Sequence, residues 1–63
     1  MNFRKLREKA GLRQLDVSEK LGVTRSTVAK WETGETLPRA SLLPDIAKIF
    51  DCSIDDLLQK DSD

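Results

Sequence analysis

The sequence predicts an all-α protein, a compact bundle of five short helices that contains a helix-turn-helix. Three observations carry this expectation. Apolar residues recur at the three- and four-residue spacing of a helix face. Each of five such stretches has its own local start or stop residue. Between Gln14 and Gly34, two short amphipathic stretches flank Gly22, which can take positive φ without steric penalty and so reverse the chain within a few residues. With 63 residues, 38% of them hydrophobic, the chain is read as one small domain over 1–63. A chain of this size buries only about 60% of its unfolded surface, so the core has to be compact.

The elements follow in order. Asn2 is placed to cap a first helix over about residues 3–10. Met1 and Leu6 stand at staple spacing, Phe3, Leu6 and Ala10 form the inner stripe, and Gly11 is the stop. The second helix turns Val17 and Leu21 inward and Asp16, Glu19 and Lys20 outward. Arg13 stands at its N-cap position and is a poor cap, so this end is expected to fray. Thr24 caps the third helix, over about 25–33, by accepting from the N–H of Ser26 or Thr27, with Val23 and Val28 as its staple. Val28 and Trp31 point inward, and Gly34 ends the helix. A loop containing Pro38 leads to a fourth helix that starts near Leu42 with Ser41 as cap. Pro44 is thereby confined to the first turn, where its missing N–H costs nothing. Leu43, Ile46, Ala47 and Phe50 supply its inner face. The fifth helix opens at Ser53-Ile54-Asp55-Asp56, a capping-box variant, with Leu57 and Leu58 as its apolar side. Residues 60–63 are expected to be a disordered tail.

Composition excludes several classes. One cysteine and no histidine leave no intrachain disulfide framework and no cysteine/histidine zinc site, and point to a reducing cytoplasm. No apolar run approaches the roughly 18 to 20 residues of a membrane span, and no signal-peptide pattern precedes the first helix, so no membrane association is expected. With no histidine, nucleophile elbow, phosphate loop or clustered catalytic acids, the chain does not read as an enzyme, and no cofactor or metal is expected.

The net charge is zero, but its distribution is uneven. Residues 1–39 hold nine cations and five acids, a net of +4, whereas residues 40–63 hold two cations and six acids, a net of −4. One half can therefore attract phosphate while the other stays clear of it. The outward face of the third helix, Arg25, Ser26, Ala29, Lys30 and Thr33, offers two cations and two hydroxyls around one small residue and carries no acid. A helix of about 10 to 12 Å diameter fits the major groove of B-DNA, about 12 Å wide. The competing reading is a solvated face that only keeps a small domain in solution.

These residues bring a family into view. Arg7 stands ahead of Gly11-Leu12, followed by Gln14, Val17-Ser18, Gly22-Val23-Thr24, Trp31-Glu32-Thr33-Gly34, Pro38, Ile46-Ala47 and the closing Ser53-Ile54-Asp55-Asp56-Leu57. As a set they resemble the Cro/phage-repressor (Xre-type) family over about residues 3–58. The resemblance implies a lambda-repressor-like five-helix bundle in which the helix-turn-helix, about 14–33, reads double-stranded DNA. Carried over residue by residue, it implies base-edge contacts by Arg25, Ser26, Ala29 and Lys30. Arg25 would be bidentate to guanine, and Ala29 would lie against a thymine methyl. Phosphate contacts fall to Gln14, at a helix N-terminus that favours an anion in any case, and to Thr27, Thr33 and Arg39. Arg13 and Lys5 are weaker candidates. Arg7 and Glu32 are implied to form a partly buried structural ion pair. Trp31 reads as core rather than as a base-stacking residue. The chain departs from the family at Ser18, where alanine is usual, at Arg13, where threonine or serine is usual, and at Thr33, where asparagine is common.

The functional expectation is a sequence-specific transcriptional regulator, most simply a repressor. It would bind an inverted-repeat operator as a homodimer formed through the region of the fourth and fifth helices, with Ile54, Leu57 and Leu58 as apolar surface. Such a protein would be cytoplasmic, encoded by a bacterium or phage, and associated with the nucleoid when bound. Two alternatives stay open. One is a protein-interaction module such as an antitoxin or adaptor, and the other is the DNA-binding part of a longer ligand-sensing regulator.

Overall fold

The computed structural model describes residues 1–59, so the expectation of a disordered 60–63 tail lies outside the described residues. Five α-helices, α1 (Phe3–Lys9), α2 (Gln14–Leu21), α3 (Arg25–Thr33), α4 (Leu43–Ile49) and α5 (Ile54–Leu58), follow one another, with a 3-10 turn at Ala40–Leu42 leading into α4. No strand occurs among the described residues. The all-α, five-helix expectation is met.

One core joins all five helices. Phe3, Val17, Val28, Trp31, Ile46, Phe50 and Leu57 are buried together, with Met1, Leu6, Leu12, Leu21 and Leu43 among the half-buried residues packed around them. Phe3 is the hub, since its ring meets Trp31 edge-on at 5.7 Å and Phe50 at 5.0 Å. Both are the tilted arrangements that aromatic quadrupoles favour. Trp31 is thus a core residue that packs against α1. Cys52 is half-buried against the core, and Pro38 is buried.

Helix ends explain the chain's path. At Gly11 (φ +74°) the Gly11 N–H donates to the Glu8 carbonyl and the Leu12 N–H to that of Arg7, a Schellman closure that occupies carbonyls the helix leaves open. Asp51 (φ +53°) closes α4 in the same way, its N–H on Lys48 and that of Cys52 on Ala47, without help from a glycine. At α5 the capping box forms as expected, with the Asp56 N–H on Ser53 Oγ at 3.0 Å and the Ser53 N–H on Asp56 Oδ2 at 3.3 Å.

Other expectations need correction. Asn2 does not cap α1. Its Oδ1 is buried without a partner among the described residues, while its backbone N–H donates to the Leu57 carbonyl at 3.0 Å, so this residue ties α1 to α5 instead. Ala10 is exposed, because α1 ends at Lys9 and the chain has begun to turn. Ser41 does not cap α4; it sits inside the 3-10 turn, and Pro44 is accommodated in the first turn of α4 without a side-chain cap. Leu58 is 53% exposed, leaving Leu57 to carry the inner side of α5.

The start of α2 is not left open either. Asp16 accepts the Arg13 backbone N–H at 2.8 Å, and its two oxygens take Arg13 Nε at 3.1 Å and Nη2 at 2.8 Å. The side-chain hydrogen bond from Arg13, followed by the one from its backbone, holds the Asp16 carboxyl down at about 2. A carboxyl depressed in the folded state contributes stability above its unfolded pKa, and loses it as pH falls through the folded value. Asp16→Asn is therefore expected to be less stable than the parent near neutral pH, with the gap closing between about pH 5 and about pH 2. Melting temperatures at the two ends of that window measure it, and a pH-independent gap would contradict the assignment.

The implied pair of Arg7 and Glu32 is present, with Nε–Oε2 at 2.5 Å and side chains only 11% and 6% exposed. Removing one partner strands the other charge in a dry site, at a cost on the order of 3 to 5 kcal/mol. Glu32→Ala is expected to lose thermal stability far beyond the exposed control Glu19→Ala. Equal, small losses in thermal melts would remove the pair from the account.

Candidate nucleic-acid interface

The helix-turn-helix is formed by α2 and α3, which pack closely on each other. Gly22 ends α2 at φ +70°, and both its N–H and that of Val23 go to the Ser18 carbonyl. Ser18, where alanine is usual, is buried and satisfied, its hydroxyl donating to the Leu15 carbonyl at 2.7 Å. Two residues after Gly22, Thr24 caps α3. Its Oγ1 accepts the Thr27 N–H at 3.1 Å and lies 2.9 Å from the Thr27 hydroxyl, which selects Thr27 from the two partners the sequence left open. Val28 and Trp31 anchor the inner side of α3, so the opposite side must face out.

On that face Arg25, Ser26, Lys30 and Thr33 are exposed and Ala29 is half-buried. The Arg25 side chain makes no hydrogen bond or ion pair among the described residues, which leaves its guanidinium free of them. Lys30 is less free, because its Nζ lies 3.8 Å from Glu35 Oε2 in the loop that follows. Thr33 donates its hydroxyl to the Lys30 carbonyl at 3.1 Å. Thr27 and Arg39 come together at a shallow depression floored by Trp31 and Pro38, so the loop after α3 brings one candidate phosphate contact beside another.

Gln14 opens α2 and is half-buried, and its Nε2 donates to Glu32 Oε1 at 3.0 Å. The side chain expected at a phosphate is therefore also tied to the ion pair. Two more features had no sequence signal, namely Glu35 beside Lys30 and Leu37, which is 71% exposed. Leu37 shares an apolar groove with Met1, Pro38, Ala40, Leu43 and Leu58. Of the residues expected at a dimer surface, Leu57 is wholly buried, while Ile54 and Leu58 are exposed.

A family model described as helix-turn-helix matches residues 3–57. The chain belongs to that family. Within it, the type is the Xre, lambda-repressor-like one, a family of DNA-binding transcriptional regulators. Among related proteins, the HTH-type transcriptional activator BcrR of Enterococcus faecalis is 38% identical over 56 residues, covering 89% of this chain and 28% of that protein. An uncharacterized HTH-type transcriptional regulator of Bacillus subtilis (strain 168), YqaE, is 36% identical over 61 residues, 97% of this chain and 53% of its own length. A third, an uncharacterized HTH-type transcriptional regulator of Archaeoglobus fulgidus, is 36% identical over 55 residues, 87% of this chain and 79% of its own. The chain thus spans well under two thirds of the first two relatives. No solved structure matches it. Among the described residues no helix is long and apolar enough to cross a membrane.

The family's turn is held here by the Thr24 cap, and that cap is testable. Thr24→Ala is expected to cost about 1 kcal/mol in chemical denaturation. Asn2→Ala, at a position that does not cap, should cost no such increment through α1 capping; a larger loss at Asn2 than at Thr24 would reverse the assignment.

Proposed function

We propose that this protein is a sequence-specific double-stranded DNA-binding regulator, and most simply a repressor that occupies an operator overlapping a promoter. The observation that carries the reading is the outward face of α3, where Arg25 is exposed and, among the described residues, unpaired beside Ser26, with half-buried Ala29 and exposed Lys30 one turn on. Guanidinium is the side chain best suited to the O6 and N7 acceptors of guanine, and its bidentate contact is worth about 1 to 3 kcal/mol of discrimination. Gln14, Thr27, Thr33 and Arg39 serve the phosphates, which set register and supply most of the salt-sensitive affinity.

Nine residues of α3 extend about 13 Å, or about four base pairs, too few to select a site in a genome. Two copies on an inverted repeat, with half-sites about 34 Å apart, double the information. The groove of Met1, Leu37, Ala40, Leu43 and Leu58, between the loop after α3 and the end of α5, is the apolar surface through which we place the homodimer. The side chains lining it carry no charge, whereas the other depressions bordering α4 and α5 mix lysines with acids, Lys9 with Asp51 and Asp56 in one and Lys20 and Lys48 with Asp45 in the other. A regulator of this kind acts in the cytoplasm, on the nucleoid. One relative, BcrR, is by contrast named an activator.

Selection of bound duplexes from a random-sequence library at two salt concentrations tests the reading, and enrichment of an inverted repeat is the expected result. Arg25→Ala combined with Lys30→Ala should leave the fold intact and abolish site preference. Unchanged preference would place the reading face elsewhere, and a folded parent that enriches nothing would favour a protein partner.

A further inference from the structure

We propose that Glu32 is a positioning residue for DNA binding: its buried carboxylate holds the Gln14 side-chain amide at the start of α2 so that one N–H is left to meet a phosphate. The inference rests on the DNA-binding reading above. It adds a role to a residue whose ion pair with Arg7 would otherwise be purely structural.

The argument is one of donors and acceptors. Glu32 Oε2 takes Arg7 Nε at 2.5 Å, while Oε1 takes Arg7 Nη2 at 3.4 Å and Gln14 Nε2 at 3.0 Å. Arg7 is fixed in turn, because its Nη1 donates to the Leu12 carbonyl at 2.7 Å, two residues before α2 begins. A carboxylate accepts and never donates, so it permits only one orientation of the amide, with Nε2 inward and Oε1 away. Nε2 carries two hydrogens, and Glu32 uses one. A phosphate oxygen is also an acceptor only, so the contact needs the second N–H and is lost when the amide is flipped. The Glu32 side chain is 6% exposed, which shields this arrangement from competing water. A glutamine at a helix start is ordinarily a mobile surface group. Here it reaches DNA already oriented, and less conformational freedom is lost on binding.

A double-mutant cycle on affinity for a mixed-sequence duplex at low salt separates positioning from general support. The variants are Gln14→Ala, Glu32→Gln and the two together, compared where circular dichroism shows all four proteins folded. Glu32→Gln leaves a single acceptor oxygen, which Arg7 takes, and turns an amino group toward Gln14. Each single change is expected to weaken binding about ten- to a hundredfold, the worth of one hydrogen bond to a charged group. The double variant should be no weaker than Gln14→Ala. Losses that multiply in the double variant would overturn the positioning role while leaving DNA binding intact. A folded parent that binds no duplex would instead overturn the DNA-binding reading and this role together. Should Glu32→Gln fail to fold, the parent itself supplies the test through the side-chain amide resonances of its two glutamines. The Gln14 amide should exchange more slowly and be shifted from that of Gln59, which is exposed. Equal behaviour of the two would overturn the proposal.

Discussion

The carboxylate of Glu32 is where the first three helices become one rigid unit. Apolar contacts among Phe3, Val17, Val28 and Trp31 hold α1, α2 and α3 together, but such contacts are non-directional and tolerate sliding. Glu32 adds direction. Through Arg7 it reaches α1 and the carbonyl of Leu12, and through Gln14 it reaches the first residue of α2. The angle between α2 and α3, which a DNA-reading pair must keep constant, is therefore set by hydrogen bonds with fixed partners at one end and by the Gly22 turn at the other. Desolvating two charges is expensive, and three donors on one carboxylate are what offset that expense.

How far the sequence reveals this depends on how local each feature is. The bounds of α3 are legible, because Thr24 and Gly34 lie at its two ends and each acts within four residues of itself. The α5 capping box is legible for the same reason. The start of α2 is misread because Arg13 has no acceptor with which to cap; the rescue comes from Asp16, three residues on, reaching back. The end of α4 carries no glycine at all, and Asp51 takes the left-handed conformation that aspartate tolerates better than most residues. Asn2 looks like a cap, yet its backbone is recruited by Leu57, more than fifty positions away, a contact no local rule contains.

The candidate site divides along the same line. Which residues of α3 face outward follows from period and the inward Val28 and Trp31. What those residues touch does not. The approach of Glu35 to Lys30 depends on the path of the loop after Gly34, and the bond from Gln14 to Glu32 crosses between two helices. Family resemblance supplies the pairing of Arg7 with Glu32, but composition and spacing alone leave both as ordinary charged residues.

A neutral protein that binds a polyanion must place its charge rather than accumulate it. Cations outnumber acids in residues 1–39, yet several are already engaged: Arg7 by Glu32, Arg13 by Asp16, Arg4 by Glu8 and Lys30 by Glu35. Arg7 is unavailable because it is buried. The other three pairs are exposed, and such pairs are typically worth about 0 to 1 kcal/mol, so a phosphate can displace the acid at little cost. Arg25 has no such acid to displace among the described residues. On the proposed reading, Lys30 has to leave Glu35 before it reaches a base or a phosphate, so its contribution would be reduced by that attraction. On that reading, these acids trim nonspecific phosphate attraction only slightly and leave the contact of Arg25 whole. For a regulator facing a genome of competing sites, the ratio between the two matters more than either affinity.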